Sequence, residues 1–280
     1  GATTTNNGTV KFSGASNGIV IATGTVEYYG TSQTVATGIY NNLTLSGSGA
    51  KTTTSVTVNG ILSMEGTATA SAAPTYGGSA TLQYKGTSTQ TTGPELPATI
   101  PNLTVNNANG VILSISPVIS GTLTLTSGKF LVTVTANSGQ TKVYGAADPT
   151  LTYTITSGNL VSGNTFTGAL NRAVGENVGT YAIGQGNLAL SINYTLTYVG
   201  ANMSITARAI TVSAATDTKV YNGTTSSTGI PTVEYCGETV CDYDYLLEVD
   251  KVITLFEIKM SKKKHSHDDR QFKAARGFGC

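Results

Sequence analysis

Asn42-Leu43-Thr44-Leu45 returns as Asn102-Leu103-Thr104-Val105, and Tyr28-Tyr29-Gly30-Thr31-Ser32 returns as Tyr84-Lys85-Gly86-Thr87-Ser88. Val58-Asn59-Gly60-Ile61-Leu62 likewise returns as Ile119-Ser120-Gly121-Thr122-Leu123. The offsets drift from 56 to 61 residues, as fixed strands joined by loops of variable length would produce. A shorter echo joins Gly8-Thr9-Val10-Lys11-Phe12 to Gly24-Thr25-Val26-Glu27-Tyr28. Within each repeat, alternation such as Leu43-Thr44-Leu45 or Leu123-Thr124-Leu125 puts Leu on one face and Thr on the other. One repeat cannot bury its Leu face alone, whereas stacked coils can. The pattern therefore predicts an all-β chain, with a parallel β-solenoid or stacked sheets over residues 1–130. A pair of ordinary β-sandwiches is the alternative.

Composition agrees with that class. Thr and Val favour strands, and Gly, Asn and Ser favour the turns between them. Only 11% of the 280 residues are charged, yet no run of about 18 apolar residues is present, so no membrane-spanning helix is expected. A formal net charge of +1 argues against nucleic acid as a partner. The chain starts at Gly1 without Met, which reads as a piece of something longer.

A second repeat follows. Val132-Thr133-Val134-Thr135-Ala136 and Thr141-Lys142-Val143-Tyr144-Gly145 return as Ile210-Thr211-Val212-Ser213-Ala214 and Thr218-Lys219-Val220-Tyr221-Asn222-Gly223. One module therefore spans residues 131–207, and a second begins at 208 and breaks off after Val233. Tandem modules of this kind build length, which a stalk needs and a compact enzyme does not.

Three stretches of the first module carry a family resemblance. They are Lys142-Val143-Tyr144-Gly145-Ala146-Ala147-Asp148-Pro149-Thr150-Leu151, Val178-Gly179-Thr180-Tyr181 and Asn193-Tyr194-Thr195-Leu196. The segment resembles the MBG domain of the YGX type, found in large bacterial surface proteins. Lys219-Val220-Tyr221-Asn222-Gly223-Thr224-Thr225 is similar to the opening of a YDG-type repeat, with Asn222 where Asp is usual. Residues 1–130 resemble the Thr/Gly-rich repeat regions that precede such modules in secreted bacterial proteins. The resemblance implies an extracellular, cell-surface location, a β-grasp-like module, repeat architecture and adhesion. The partners it suggests are carbohydrate, other surface proteins or further copies of the chain.

Chemistry is sparse. Residues 1–233 contain no His and no Cys, so neither Ser-His-Asp nor Cys-His catalysis can be built from them. Their acids are Glu27, Glu65, Glu95, Asp148, Glu176 and Asp217, from which two would have to meet to form a glycosidase pair. Isolated surface acids are the commoner case, so no catalytic, cofactor or metal site is expected and the chain reads as a non-enzyme. Tyr28, Tyr29, Tyr40, Tyr76 and Tyr84 fit buried rings with wet hydroxyls better than a sugar-stacking surface.

Residues 234–280 differ from the rest. These 47 residues hold 8 Lys/Arg and 9 Asp/Glu, against 8 and 6 in residues 1–233, together with Cys236, Cys241, Cys280, His265 and His267. Glu234-Tyr235-Cys236-Gly237 and Leu247-Glu248-Val249-Asp250-Lys251 resemble parts of an HNH nuclease. Val233 stands where its first knuckle Cys belongs and Lys251 replaces its catalytic His, so no nuclease activity is expected. Cys236 and Cys241 are expected to pair as a disulfide, with a zinc site using His265 or His267 as the rival.

Overall fold

The structure, a computed structural model, describes residues 8–14, 23–214, 218, 220 and the strands at 232–235 and 238–242. It is all-β, with no helix among the described residues. The chain divides into two compact units. The first comprises Gly1–Gln140, Thr150–Val174 and Thr180–Met203, and the second Thr141–Pro149, Gly175–Gly179 and Ser204–Cys280.

The first unit begins with a parallel β-solenoid. Its opening coil contributes β1 (Thr9–Phe12), and the next contributes β2 (Thr25–Tyr28), β3 (Gln33–Thr34) and β4 (Gly38–Tyr40). Three more coils follow as β5 (Asn42–Leu45), β6 (Ser48–Thr52) and β7 (Val56–Val58), then β8 (Ile61–Glu65), β9 (Thr67–Ala70) and β10 (Thr75–Tyr76), then β11 (Thr81–Lys85), β12 (Gln90–Thr91) and β13 (Thr99–Ile100). The last full coil is β14 (Asn102–Asn106), β15 (Val111–Ile112) and β16 (Val118–Ile119), before β17 (Leu123–Ser127) and β18 (Phe130–Ala136). The first strands of the coils form one unbroken parallel sheet in the order β1-β2-β5-β8-β11-β14-β17. Register partners along it lie 16, 17, 19, 20, 21 and 20 residues apart.

This spacing explains the sequence repeats. The 16-residue echo is one coil, and the drifting 56-to-61-residue repeat is three. Inward positions stack on their counterparts: Val26, Leu43, Leu62, Leu82, Leu103 and Leu123 form one column, and Tyr28, Leu45, Met64, Tyr84, Val105 and Leu125 the other. Leu43, Leu62, Leu82 and Leu103 are wholly buried. Burying each such side chain contributes about 1.5–3 kcal/mol. Thr44, Ser63, Gln83, Thr104 and Thr124 occupy the outward positions between the two columns.

The corners carry buried polar groups that tie each coil to the one before. Gln33 donates through Nε2 to the carbonyls of Phe12 and Gly14. Three coils on, Gln90 donates through Nε2 to the Met64 carbonyl. Lys51, wholly buried, directs its ammonium at the carbonyls of Gly30, Thr31 and Ser48 and at Gln33 Oε1, and burial pushes its pKa down. Asn42 Oδ1 and Asn102 Oδ1 accept from the Ile61 and Thr122 amides of the following coils. A Cβ at Gly60 or Gly121 would lie 2.5 or 2.7 Å from those same side-chain oxygens, which explains glycine there.

The solenoid passes into the next module without a linker. β18 pairs in parallel with β15 through Val111 and Phe130, and in parallel with β23 (Tyr194–Val199) over Phe130–Thr135. It also pairs antiparallel with β20 (Tyr153–Ser157). Asn159 Nδ2 donates to the Leu113 carbonyl, and the Ser162 amide to that of Pro117, so the module covers the end of the last coil. Phe130 and Tyr194 pack with ring centroids 5.6 Å apart. β21 (Asn171–Arg172) pairs antiparallel with β22 (Gly179–Gly184).

In the second unit, the strand residues 141–143 belong to β19 (Gln140–Val143) and 204–206 to β24 (Ala201–Thr206). The Tyr144 amide donates to the Thr206 carbonyl, and Thr206 Oγ1 to that of Lys142. β25 (Thr211–Ser213) pairs antiparallel with β26 (Thr232–Tyr235), which pairs antiparallel with β27 (Glu238–Asp242). β26 includes Val233.

Candidate functional site

The sequence singled out six acids, of which the structure keeps Glu27, Glu65 and Glu95 apart from one another and brings Asp148 and Glu176 to one lysine. On the outer face of the long sheet, Glu27 Oε2 pairs with Lys11 Nζ at 2.6 Å and its Oε1 accepts from Ser46 at 2.7 Å. Burial would raise the Glu27 pKa, but the hydrogen bonds from Lys11 and Ser46 outweigh this and hold it below the usual carboxylate value. Glu65 faces Lys85 at 3.4 Å on the same side. Asp217 lies outside the described residues.

Of the five tyrosines, Tyr28, Tyr40 and Tyr84 are buried, Tyr76 is partly buried and Tyr29 is exposed. Tyr40 donates to the Ala36 carbonyl at 2.6 Å, and the Ala36 amide donates to Tyr28 Oη at 3.0 Å. Burial pushes the Tyr40, Tyr76 and Tyr84 phenols well up.

Glu95 is the exception among the acids. It is 2% exposed, on the coil that contains β11–β13. Its Oε1 accepts from Tyr84 Oη at 2.8 Å and from the Gly93 amide at 2.7 Å, while Tyr76 Oη donates to its carbonyl at 2.6 Å. Its Oε2 is buried with no hydrogen-bond partner. An unmatched buried carboxylate oxygen is costly, so it asks for an explanation.

That explanation lies in a break in the solenoid wall. The long sheet is continuous between β8 and β11, but the second wall is split into β3-β6-β9 and β12-β15-β18, and the third into β4-β7-β10 and β13-β16. Pro94, Pro97 and Pro101 fall in the coil after the break, and proline cannot donate to a ladder. The Leu96 amide instead bonds the Gly93 carbonyl, making a turn that carries Glu95 inward. Between β9 and β12 a pocket of about 200 Å³ remains, lined among others by Met64, Ala68, Thr69, Tyr84, Thr91 and Glu95. Sequence reasoning passed over Glu95 as one isolated acid. The available signal was a charge placed between two prolines in a stretch otherwise almost free of charge.

The last two acids meet in the second unit. Lys142 Nζ lies 2.6 Å from Asp148 Oδ1 and 2.6 Å from Glu176 Oε2, its side chain 4% exposed. Burial would lower the Lys142 pKa, but its bonds to Asp148 and Glu176 outweigh this and raise it. A lysine held charged between two acids is a clasp on the loops 145–149 and 175–179, unlike an acid–base pair facing a substrate. Gly145, at φ 79°, turns the chain directly after Tyr144. Arg208 donates to the Tyr144 carbonyl at 3.4 Å.

Lys142 and Asp148 of the motif thus pair directly, and Tyr144 and Gly145 lie on the turn between them. Residues 132–204 match the family model of the MBG domain (YGX type). This segment is an MBG domain. Its first strand is β18, the strand that continues the solenoid wall. No curated protein and no solved structure matches the chain.

Within the MBG domain, Tyr194 is buried, accepts from the Val161 amide at 3.0 Å and donates to Asn164 Oδ1 at 3.2 Å. No group of three or more His, Cys, Asp or Glu suited to a metal occurs among the described residues. Cys236, Cys280, His265 and His267 lie outside them, and Cys241 is placed only as part of β27, so the disulfide and its zinc rival fall outside too. The YDG-like segment falls outside them except for Val220, and Lys251 of the nuclease-like stretch also lies outside. No described helix is long and apolar enough to cross a membrane.

Proposed function

We propose that this chain is a non-enzymatic stalk segment of a secreted or surface-anchored bacterial repeat protein, with an adhesive role. The observation that carries the reading is the direct passage of the second solenoid wall, β12-β15-β18, into an MBG domain through β18. Such a connection transmits length without a hinge of loose residues at the junction. The outward face of the long sheet is polar, with Thr, Ser and Gln beside the Lys11–Glu27 and Lys85–Glu65 pairs, which suits a solvated coat. MBG domains occur in surface proteins, which supports the extracellular location.

The test uses the full chain displayed on beads. Saturable retention of coated beads on cells or on immobilised glycans, competed by free chain, supports adhesion. Retention no better than that of uncoated beads sinks the adhesive part while leaving the stalk. Hydrolysis of a polysaccharide or of DNA by the same preparation overturns the non-enzymatic reading.

A further inference from the structure

We propose that the break between β9 and β12 is a binding subsite for a compact ligand carrying a primary ammonium on a hydroxylated ring, that is, an amino-sugar residue. The inference stands on the cleft alone and does not depend on the chain being a stalk.

The walls are two unpaired strand edges. β9 pairs with β6 on one side, and the Thr67 and Ser71 amides point to that side, donating to the carbonyls of Gly47 and Lys51. Strand alternation therefore turns the Ala68 N–H and C=O to the other side. β12 pairs with β15, and the Gln90 and Thr92 amides point there, donating to Gly110 and Ile112. Thr91 accordingly turns its own N–H and C=O toward β9. No strand pairs with either facing edge among the described residues. Such edges offer donors and acceptors side by side, and hydroxyl groups can satisfy both. The exposed Thr69 and Thr91 add hydroxyls of their own, while Met64 and Ala68 supply an apolar patch.

The charge requirement comes from Glu95. Its Oε1 already has two donors, and its Oε2 has none. The ion pairs of the described residues involve Lys11, Lys85 and Lys142, and none reaches Glu95. A water in the cleft would supply a hydrogen bond but no positive charge, and buried charge is stabilised by a paired opposite charge. The same wall, one strand from β9, shows what suits this architecture: Lys51 of β6 places an ammonium among three carbonyls and an amide oxygen. A divalent metal is the poorer occupant, because calcium sites gather several carboxylates and this cleft has one. The volume of about 200 Å³ lies below that of drug-sized sites, which run to roughly 300–1,000 Å³, and fits a single ring.

The experiment is calorimetric titration of the full chain with glucosamine, glucose and n-butylamine at neutral pH. Glucosamine should saturate the protein, with glucose and n-butylamine each about tenfold weaker or undetectable, a difference of about 1.4 kcal/mol. Glu95→Gln should weaken glucosamine about tenfold and leave its small response to glucose unchanged. The exposed isosteric changes Thr69→Val and Thr91→Val, which spare the core, should each weaken glucosamine about threefold. Equal binding of glucose overturns the role of the charge, and equal binding of n-butylamine overturns the ring. Absence of saturable glucosamine binding to the wild-type chain, or full retention in a folded Glu95→Gln protein, overturns the proposal entirely.

Discussion

The solenoid and the MBG domain solve the same burial problem in different ways. In the solenoid a residue packs on its own counterpart one coil away, so Leu43, Leu62, Leu82 and Leu103 form a column of like on like. In the MBG domain β18 lies between strands of opposite direction, parallel β23 and antiparallel β20, and Phe130 meets Tyr194. Columns tolerate exchange among Leu, Val, Met and Tyr as long as the position points inward. The MBG domain depends more on single placements such as the Tyr194 hydroxyl. The comparison teaches that repetition distributes stability, whereas a mixed sheet concentrates it.

The most forceful way to break the comparison is to open a hole in a column. Leu82→Ala should cost about 2–5 kcal/mol, read by denaturant unfolding, and hydrogen exchange should speed up in the coils on both sides. Loss of protection confined to β11 would show that the coils do not share their stability. The junction comes next. Gly128 has φ 83°, and a Cβ there would fall 1.7 Å from the Asn107 carbonyl oxygen. Gly128→Ala should therefore destabilise the hand-over from β17 to β18 by about 1–3 kcal/mol, with β18 losing exchange protection before β2 or β5. Tyr194→Phe strips the Val161 amide of its acceptor and should cost about 1–2 kcal/mol, leaving the early coils protected.

The solenoid class was readable in the sequence because Leu-Thr-Leu alternation fixes which side faces in. Its true period was harder to see. Coil length grows from 16 to 21 residues, and inward positions accept several apolar side chains, so adjacent coils look unlike. Every third coil restores the corner chemistry, with Tyr28 and Gln33 answered by Tyr84 and Gln90, and that is the repeat that stood out. The MBG domain was legible from Lys142-Val143-Tyr144-Gly145 and its companions, because the paired Lys142 and Asp148 and the turn at Gly145 lie within a few residues of one another. The cleft was not legible, because it arises where strands fail to pair, and an unmade ladder leaves no pattern. Glu95 became distinctive only once Tyr84 and the Gly93 turn had carried it inside.

Smaller effects sharpen the electrostatic side. The raised Lys142 pKa means its clasp contributes fully below the ordinary lysine value of 10.5 and loses that contribution as pH rises through the folded value above it. Lys142→Met should abolish this alkaline fall-off, with only about 0–1 kcal/mol lost at neutral pH because both partner acids are largely exposed. Amide exchange in residues 145–149 and 175–179 is the readout. The depressed Glu27 pKa acts at the other end of the scale. Its contribution is present above 4.5 and is lost as pH falls through the folded value below that. Glu27→Gln should flatten this acid limb by no more than about 0.5 kcal/mol in a thermal melt.

The uninterrupted sheet beside a gap in the other two walls has a mechanical consequence. β8 and β11 act as the spine of a book whose pages part at one place, between β9 and β12 on one side and β10 and β13 on the other. Force applied along the stack pulls on the hydrogen bonds between coils. Among the described residues, three of the six successive coil pairs resist it with ladders on all three walls, but this pair is joined by its spine, the Gln90 staple and the Tyr76 bond. Among the coils whose residues are all described, the stack is therefore expected to yield here first.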